Sequence, residues 1–172
     1  MKPNRVVATA LAAVFALAIG SLAATADKRG PSTPEERERA VKLARGIEQY
    51  PFHEGAKEAR EWLLFWLIEI PDITVEACPD LIGPVFKADK NYSSELFVQT
   101  IFSSAAFIIE NPKQAKNKQA VYQAGLEGTL RMYESILKEQ PQARHEFLDQ
   151  LIEKRDKGQL SEHMGKVVKK CK

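Results

Sequence analysis

Apolar positions recur at helical spacing along most of this chain, and one stretch departs from that pattern by having no polar position at all. Trp62-Leu63-Leu64-Phe65-Trp66-Leu67-Ile68 is seven apolar residues in succession and holds both tryptophans. Such a run does not by itself choose between helix and strand. Its flanks do: Ala56, Lys57, Glu58, Ala59, Arg60 and Glu61 are mostly good helix formers, and Pro71 supplies a stop. The pattern predicts a helix over about 54–69, amphipathic at its start and apolar all round in its second half. That half should be buried on every side. Trp62 and Trp66 lie four apart on one face, as plain core or as walls of an aromatic ligand pocket.

The remaining elements follow from periodicity and punctuation. Thr33-Pro34-Glu35-Glu36 reads as a capping box with Pro at the first helical position, starting a helix to about Gln49. Its inner stripe is Ala40, Val41, Ala44 and Ile47, and Glu48 is assigned to the solvated face. Asp72 should cap a short helical segment from Ile73 to Cys78, and Pro79-Asp80 should restart the chain for a short turn from Leu81 to Phe86, broken at Gly83-Pro84. A second core helix is expected from Ser93 or Ser94 to Glu110, with Leu96, Phe97, Ile101, Ala105 and Ile108 inward. Gln99, Thr100, Ser103 and Ser104 fall on its polar side. Asn111-Pro112 then starts a helix over about 112–140, as one element or as two joined near Gly125.

Within that helix Ala120, Ala124 and Gly128 form a small-residue stripe. Gly125 and Gly128 each cost about 1 kcal/mol of helix propensity against Ala, so a close approach should offset them. The candidates are packing against Ala105 and Ala106, or a ligand lying in the groove. Pro141 opens a helix to about Lys157, and Ser161 should cap a last one containing Leu160, Met164, Val167, Val168 and Cys171. Tyr133, Ile136, Leu137 and Pro141 resemble the second half of a tetratricopeptide repeat. The Trp, Leu-Gly and Tyr of the first half are missing from 112–120, and no second copy follows. The resemblance therefore implies helical-hairpin packing, not a repeat array.

The N-terminus changes the picture of compartment and charge. Lys2 and Arg5 precede an apolar segment from Val6 to Ile19, and Ala24-Thr25-Ala26 is an A-x-A cleavage pattern. Residues 1–26 read as a secretory signal peptide and 27–172 as one all-helical domain. The expected localisation is periplasmic or secreted, with no membrane span after cleavage. The apolar run at 62–68 is itself far short of the ~20 residues a bilayer requires. The full chain carries a formal +2, but removing Lys2 and Arg5 lowers its 25 basic residues to 23, equal to its 23 acidic ones. A neutral balance gives no footing for a nucleic-acid partner. Cys78 and Cys171 are the only cysteines, and export predicts that they are joined.

Candidate chemistry is sparse. His53, His145 and His163 stand in no metal-ligand spacing and read as surface groups. No G-x-S-x-G elbow, phosphate-cradling loop or C-x-x-C is present. Glu69 and Glu110, each at the end of an apolar helix, are the acids closest to an acid–base role. The chain therefore predicts an all-α fold, an irregular bundle or stacked helical hairpins of five to seven helices. No catalytic residue, metal or cofactor is assigned. The leading functional expectation is a protein-interaction or structural module. The alternative is a carrier of a small apolar ligand between the 54–69 and 112–140 helices, using Trp62, Trp66, Gly125 and Gly128. A hydrolase or lyase with unrecognised residues comes third.

Overall fold

A computed structural model describes residues 29–171. They form seven α-helices, with no strand among the described residues: α1 (Pro34–Gln49), α2 (Ala56–Glu69), α3 (Pro84–Ala88), α4 (Ser93–Glu110), α5 (Lys118–Glu139), α6 (Glu146–Asp156) and α7 (Leu160–Val167). Single 3-10 turns at Pro79–Leu81 and Pro112–Gln114 complete the order. The proposed signal at 1–26 lies outside the described residues. The all-α expectation holds, and no described helix is long and apolar enough to cross a membrane.

The antiparallel pair α4–α5 forms the centre, and α1 packs against both. α1 also carries α2, while α6 and α7 pack against α5. The core runs through Leu63, Phe102, Leu126, Leu130, Tyr133 and Leu148, among others, each contributing about 1.5–3 kcal/mol by leaving water. The start of α1 is fixed as its sequence dictates. Thr33 Oγ1 accepts from the Glu36 N–H at 3.2 Å, and Glu36 Oε2 accepts from the Thr33 N–H at 3.0 Å.

Several boundaries differ from the sequence expectation, each for a local reason. Residues 71–78 form no helix, because Asp72 is engaged elsewhere: it accepts from the Ser32 N–H and Oγ, each at 2.8 Å, and from Arg37 at 2.7 Å. No carboxylate is left to cap a helix, and β-branched Ile73, Thr74 and Val75 favour extension. Asn111-Pro112 makes only a 3-10 turn, and α5 begins six residues later, where the Asn117 side chain accepts from the Ala120 N–H at 3.2 Å. From there α5 runs unbroken through Gly125 and Gly128. α6 starts at Glu146 instead of Pro141, since the Tyr133 hydroxyl accepts the His145 N–H at 2.8 Å and pins an extended residue there. Ser161 lies inside α7, not at its cap. Cys78 and Cys171 form a disulfide with Cα atoms 5.4 Å apart, tying the chain beyond α7 to the middle of the fold.

Candidate functional site

The second half of α2 is not enclosed. Its inner stripe, Ala56, Ala59, Leu63 and Trp66, is buried and is followed inward by Ile70. Leu64, Phe65 and Ile68 point away and are 41%, 63% and 71% exposed. This corrects the expectation of burial on every side: α2 leans chiefly on one helix, α1, so only one face is covered. Leu64 to Ile68 is a step of four and Phe65 to Ile68 a step of three, so the three form one patch. Acidic side chains, Glu58 and Glu61 before it and Glu69 after it, bracket the patch along the helix. Glu61 has only a loose partner, Lys57 at 3.9 Å, and Glu69 pairs with Arg29 at 3.0 Å.

Trp62 and Trp66 stack on each other, with ring centroids 5.5 Å apart and planes 13° from parallel. The Arg39 guanidinium lies 4.2 Å from the Trp62 ring centroid, covering a face of it. The indoles fill one another's contact surface and leave no slot between them. Gly125 and Gly128 face elsewhere. A Cβ at Gly125 would fall 2.6 Å from the Thr100 carbonyl oxygen, and one at Gly128 would meet Ser103 and Glu48. Their close neighbours are thus Ser103, Ser104 and the Thr100 backbone of α4 together with Glu48 of α1, not Ala105 and Ala106. The structure brings the tryptophans together and the glycines together, but does not join the two pairs: α1 packs against both α2 and α5.

The apolar concavity beside α2 instead opens between α1 and the 50–55 turn. It measures about 390 Å³ and is lined by Gly46, Ile47, Tyr50, His53, Ala56 and Ala59. A Cβ on Gly46 would meet nothing within 4 Å. Tyr50 and Phe52, both exposed, stand at this end of α2.

A charged cluster lies where α1, α4 and α5 meet. Glu48, expected on the solvated face, is 4% exposed. Its Oε1 accepts from Arg45 and from the Ser103 hydroxyl, each at 2.7 Å, and its Oε2 accepts from Arg131 Nε at 2.8 Å. Gln99 donates to Ser103 at 2.9 Å and to the Ala44 carbonyl at 3.1 Å. The polar residues Gln99, Thr100, Ser103 and Ser104 assigned to the outer side of α4 are therefore buried. Gln99 and Ser103 are bonded to α1 and Ser104 donates to the Val121 carbonyl of α5 at 3.1 Å, while Gln99 Oε1 has no partner among the described residues. Spacing carried the missed signal: Glu48 stands four residues beyond Ala44 and eight beyond Ala40, on the buried stripe. Burial works against the charge on Arg45, but its bonds to Glu110 and Glu48 outweigh it and raise its pKa.

Glu69 and Glu110 are exposed ion-pair partners, of Arg29 and Arg45, and do not share a cleft. His145 is buried, not a surface group, with Nε2 3.0 Å from the Asn91 carbonyl oxygen. His163 is half-buried, and desolvation first, then Lys154, Lys166 and Lys170, lower its pKa. No cluster of three metal-ligating side chains is found among the described residues. No family model, curated protein or solved structure matches this chain.

Proposed function

We propose that this is an exported interaction module whose docking element is the outward face of α2, and that its occupant is an amphipathic helix of a partner protein with basic residues flanking its apolar stripe. The observation that carries the reading is the joint exposure of Leu64, Phe65 and Ile68 on a helix apolar enough to have been buried on all sides. A contiguous apolar patch rimmed by charge is the usual mark of a docking surface. Glu58, with no ion pair among the described residues, and Glu61, held only loosely by Lys57, supply complementary charge for a basic partner and disfavour an anionic lipid surface. Export rests on the Lys2 to Ala26 pattern and agrees with the joined cysteines.

Photo-crosslinking from a benzoylphenylalanine placed at position 68 of the full chain tests this in producing cells. The expected adduct maps, by mass spectrometry, to a helix of another protein with Lys or Arg beside its apolar residues. It is lost when Phe65→Glu is added. An adduct to lipid, to a second copy of this chain, or none above a control at position 154 overturns the reading. Intact mass of the recovered protein tests export separately: a chain starting at Asp27 is expected, and an uncleaved chain contradicts it.

The cleft between α1 and the 50–55 turn supports a second reading, a site for a small apolar ligand, because its lining is apolar and Gly46 leaves it open. Tyr50 would close over such a molecule, and saturable quenching of Tyr50 emission by an aromatic probe, absent in Tyr50→Ala, is the expected result. Unsaturable quenching would rule it out.

A further inference from the structure

A cleft of about 460 Å³ lies between the C-terminal end of α1 and the last turns of α5, lined by Arg45, Glu48, Gln49, Arg131, Glu134, Ser135 and Lys138. Its charges are three cations against two carboxylates, and both carboxylates are already engaged. Glu48 is held by Arg45, Arg131 and Ser103, as described above. Glu134 gives one oxygen to each terminal nitrogen of Arg155, at 2.8 and 2.7 Å.

That arrangement leaves donors without partners. Arg131 bonds Glu48 through Nε alone, and its two terminal nitrogens make no hydrogen bond among the described residues. Glu134 and Lys138 stand at the four-residue spacing that normally forms a pair on a helix. Arg155 has taken Glu134, and Lys138 has no ion pair among the described residues. Arg131 and Lys138 are seven residues apart on α5, hence on one face and about 10 Å apart along its axis. Ser135 lies between them, and Gln49 faces them from α1.

We propose that this cleft binds a small oxyanion, a carboxylate or phosphate group, on the free edge of Arg131 with Lys138 as the second cation. Two things make Arg131 suited to the task. A carboxylate that is itself almost wholly buried fixes its orientation, so little rotamer freedom remains to be lost on binding. Its unoccupied edge presents two parallel N–H groups, which match the two oxygens of a carboxylate or phosphate. The unpaired cationic donors, the terminal nitrogens of Arg131 and the ammonium of Lys138, favour an anion over a neutral ligand. This inference does not depend on the docking face of α2, which lies elsewhere.

The test is an NMR titration of the 15N-labelled full domain with inorganic phosphate and, separately, with succinate, at low ionic strength and with sodium chloride as reference. Saturable shifts confined to residues near 45–49 and 131–138 are expected with at least one of the two, and which one assigns the group recognised. Lys138→Gln, an exposed position whose change leaves the packing alone, should weaken that affinity roughly tenfold. Arg131→Lys keeps the charge but loses the paired N–H edge, and should weaken it at least as much while the spectrum remains that of a folded protein. Shifts that match sodium chloride, that fail to saturate, or that persist unchanged in Lys138→Gln overturn the proposal.

Discussion

Arg131 Nε and the Glu48 carboxylate meet at 2.8 Å across the α1–α5 contact, and the acid is the buried member of the pair. Glu48 also accepts from Arg45 and Ser103, so one carboxylate ties three helices together. Replacing it with neutral Gln takes the negative charge out of a buried network and turns one of its two acceptor oxygens into a donor facing the same cations. Glu48→Gln should therefore cost about 3 kcal/mol, the low end for breaking a buried pair, because both arginines still reach water. Glu110→Gln, at the exposed partner of Arg45, should cost under about 1 kcal/mol. Urea unfolding of the two variants checks the contrast, and equal losses would contradict the assignment of Glu48 as the structural acid.

Two helical glycines should respond with opposite sign. Gly128→Ala sets a Cβ against Ser103 and Glu48, and such overpacking costs about 1–3 kcal/mol. Gly46→Ala meets open space, and inside α1 it should gain about 0.5–1 kcal/mol from helix propensity. Thermal unfolding of the pair measures both. A stabilised Gly128→Ala would mean that α4 and α5 do not approach as closely as described.

The Cys78–Cys171 bridge closes a loop of 93 residues in sequence. Its removal by a Cys78→Ser/Cys171→Ser double variant should lower stability by about 2–4 kcal/mol, mainly by freeing the unfolded chain. Loss of hydrogen-exchange protection should begin in α7, which the bridge holds. Two labelled thiols on the native, oxidised protein would show that the bridge is absent.

Asp72 links Ser32, just ahead of α1, to the end of α2 and should make that link acid-sensitive. Burial pushes its carboxyl up, but the Ser32 N–H, the Ser32 hydroxyl and Arg37 outweigh it and hold the pKa below the ordinary 3.8. A depressed folded value means that the stabilisation is complete above the unfolded pKa and is lost as pH falls through the folded one. The segment at Ser32 should thus stay docked at neutral pH and loosen below about pH 4, a transition that Asp72→Asn should remove. A carboxyl titration by NMR with its midpoint at or above 3.8 would contradict this.

Much of the architecture was legible because local signals and tertiary needs agree. Thr33 and Glu36 start α1 as their spacing implies, and Tyr133 and Ile136 are buried where the helical-hairpin pattern puts them. What escaped the sequence were partners that spacing does not name. Gln99, Ser103 and Ser104 look like a solvated face until Gly125 and Gly128 let α5 approach, after which each polar atom that bonds does so inside the protein. Glu48 was hidden by its charge, although its register matched the buried alanines. The all-round apolar character of Leu64 to Ile68 said that these side chains avoid water, not how many neighbours the fold would provide. The structure provides one helix, and the surplus face is the functional suggestion.

That surplus is tested most directly by the unfolding free energy of a Phe65→Ser/Ile68→Ser double variant, measured beside Leu63→Ala. Because Phe65 and Ile68 point into solvent and are proposed to serve a partner, not the fold, the double variant should unfold within about 0.5 kcal/mol of the parent, while Leu63→Ala loses about 2–5 kcal/mol. A loss in the double variant as large as that of Leu63→Ala would show that this face is already covered within the protein, and the docking account would fail.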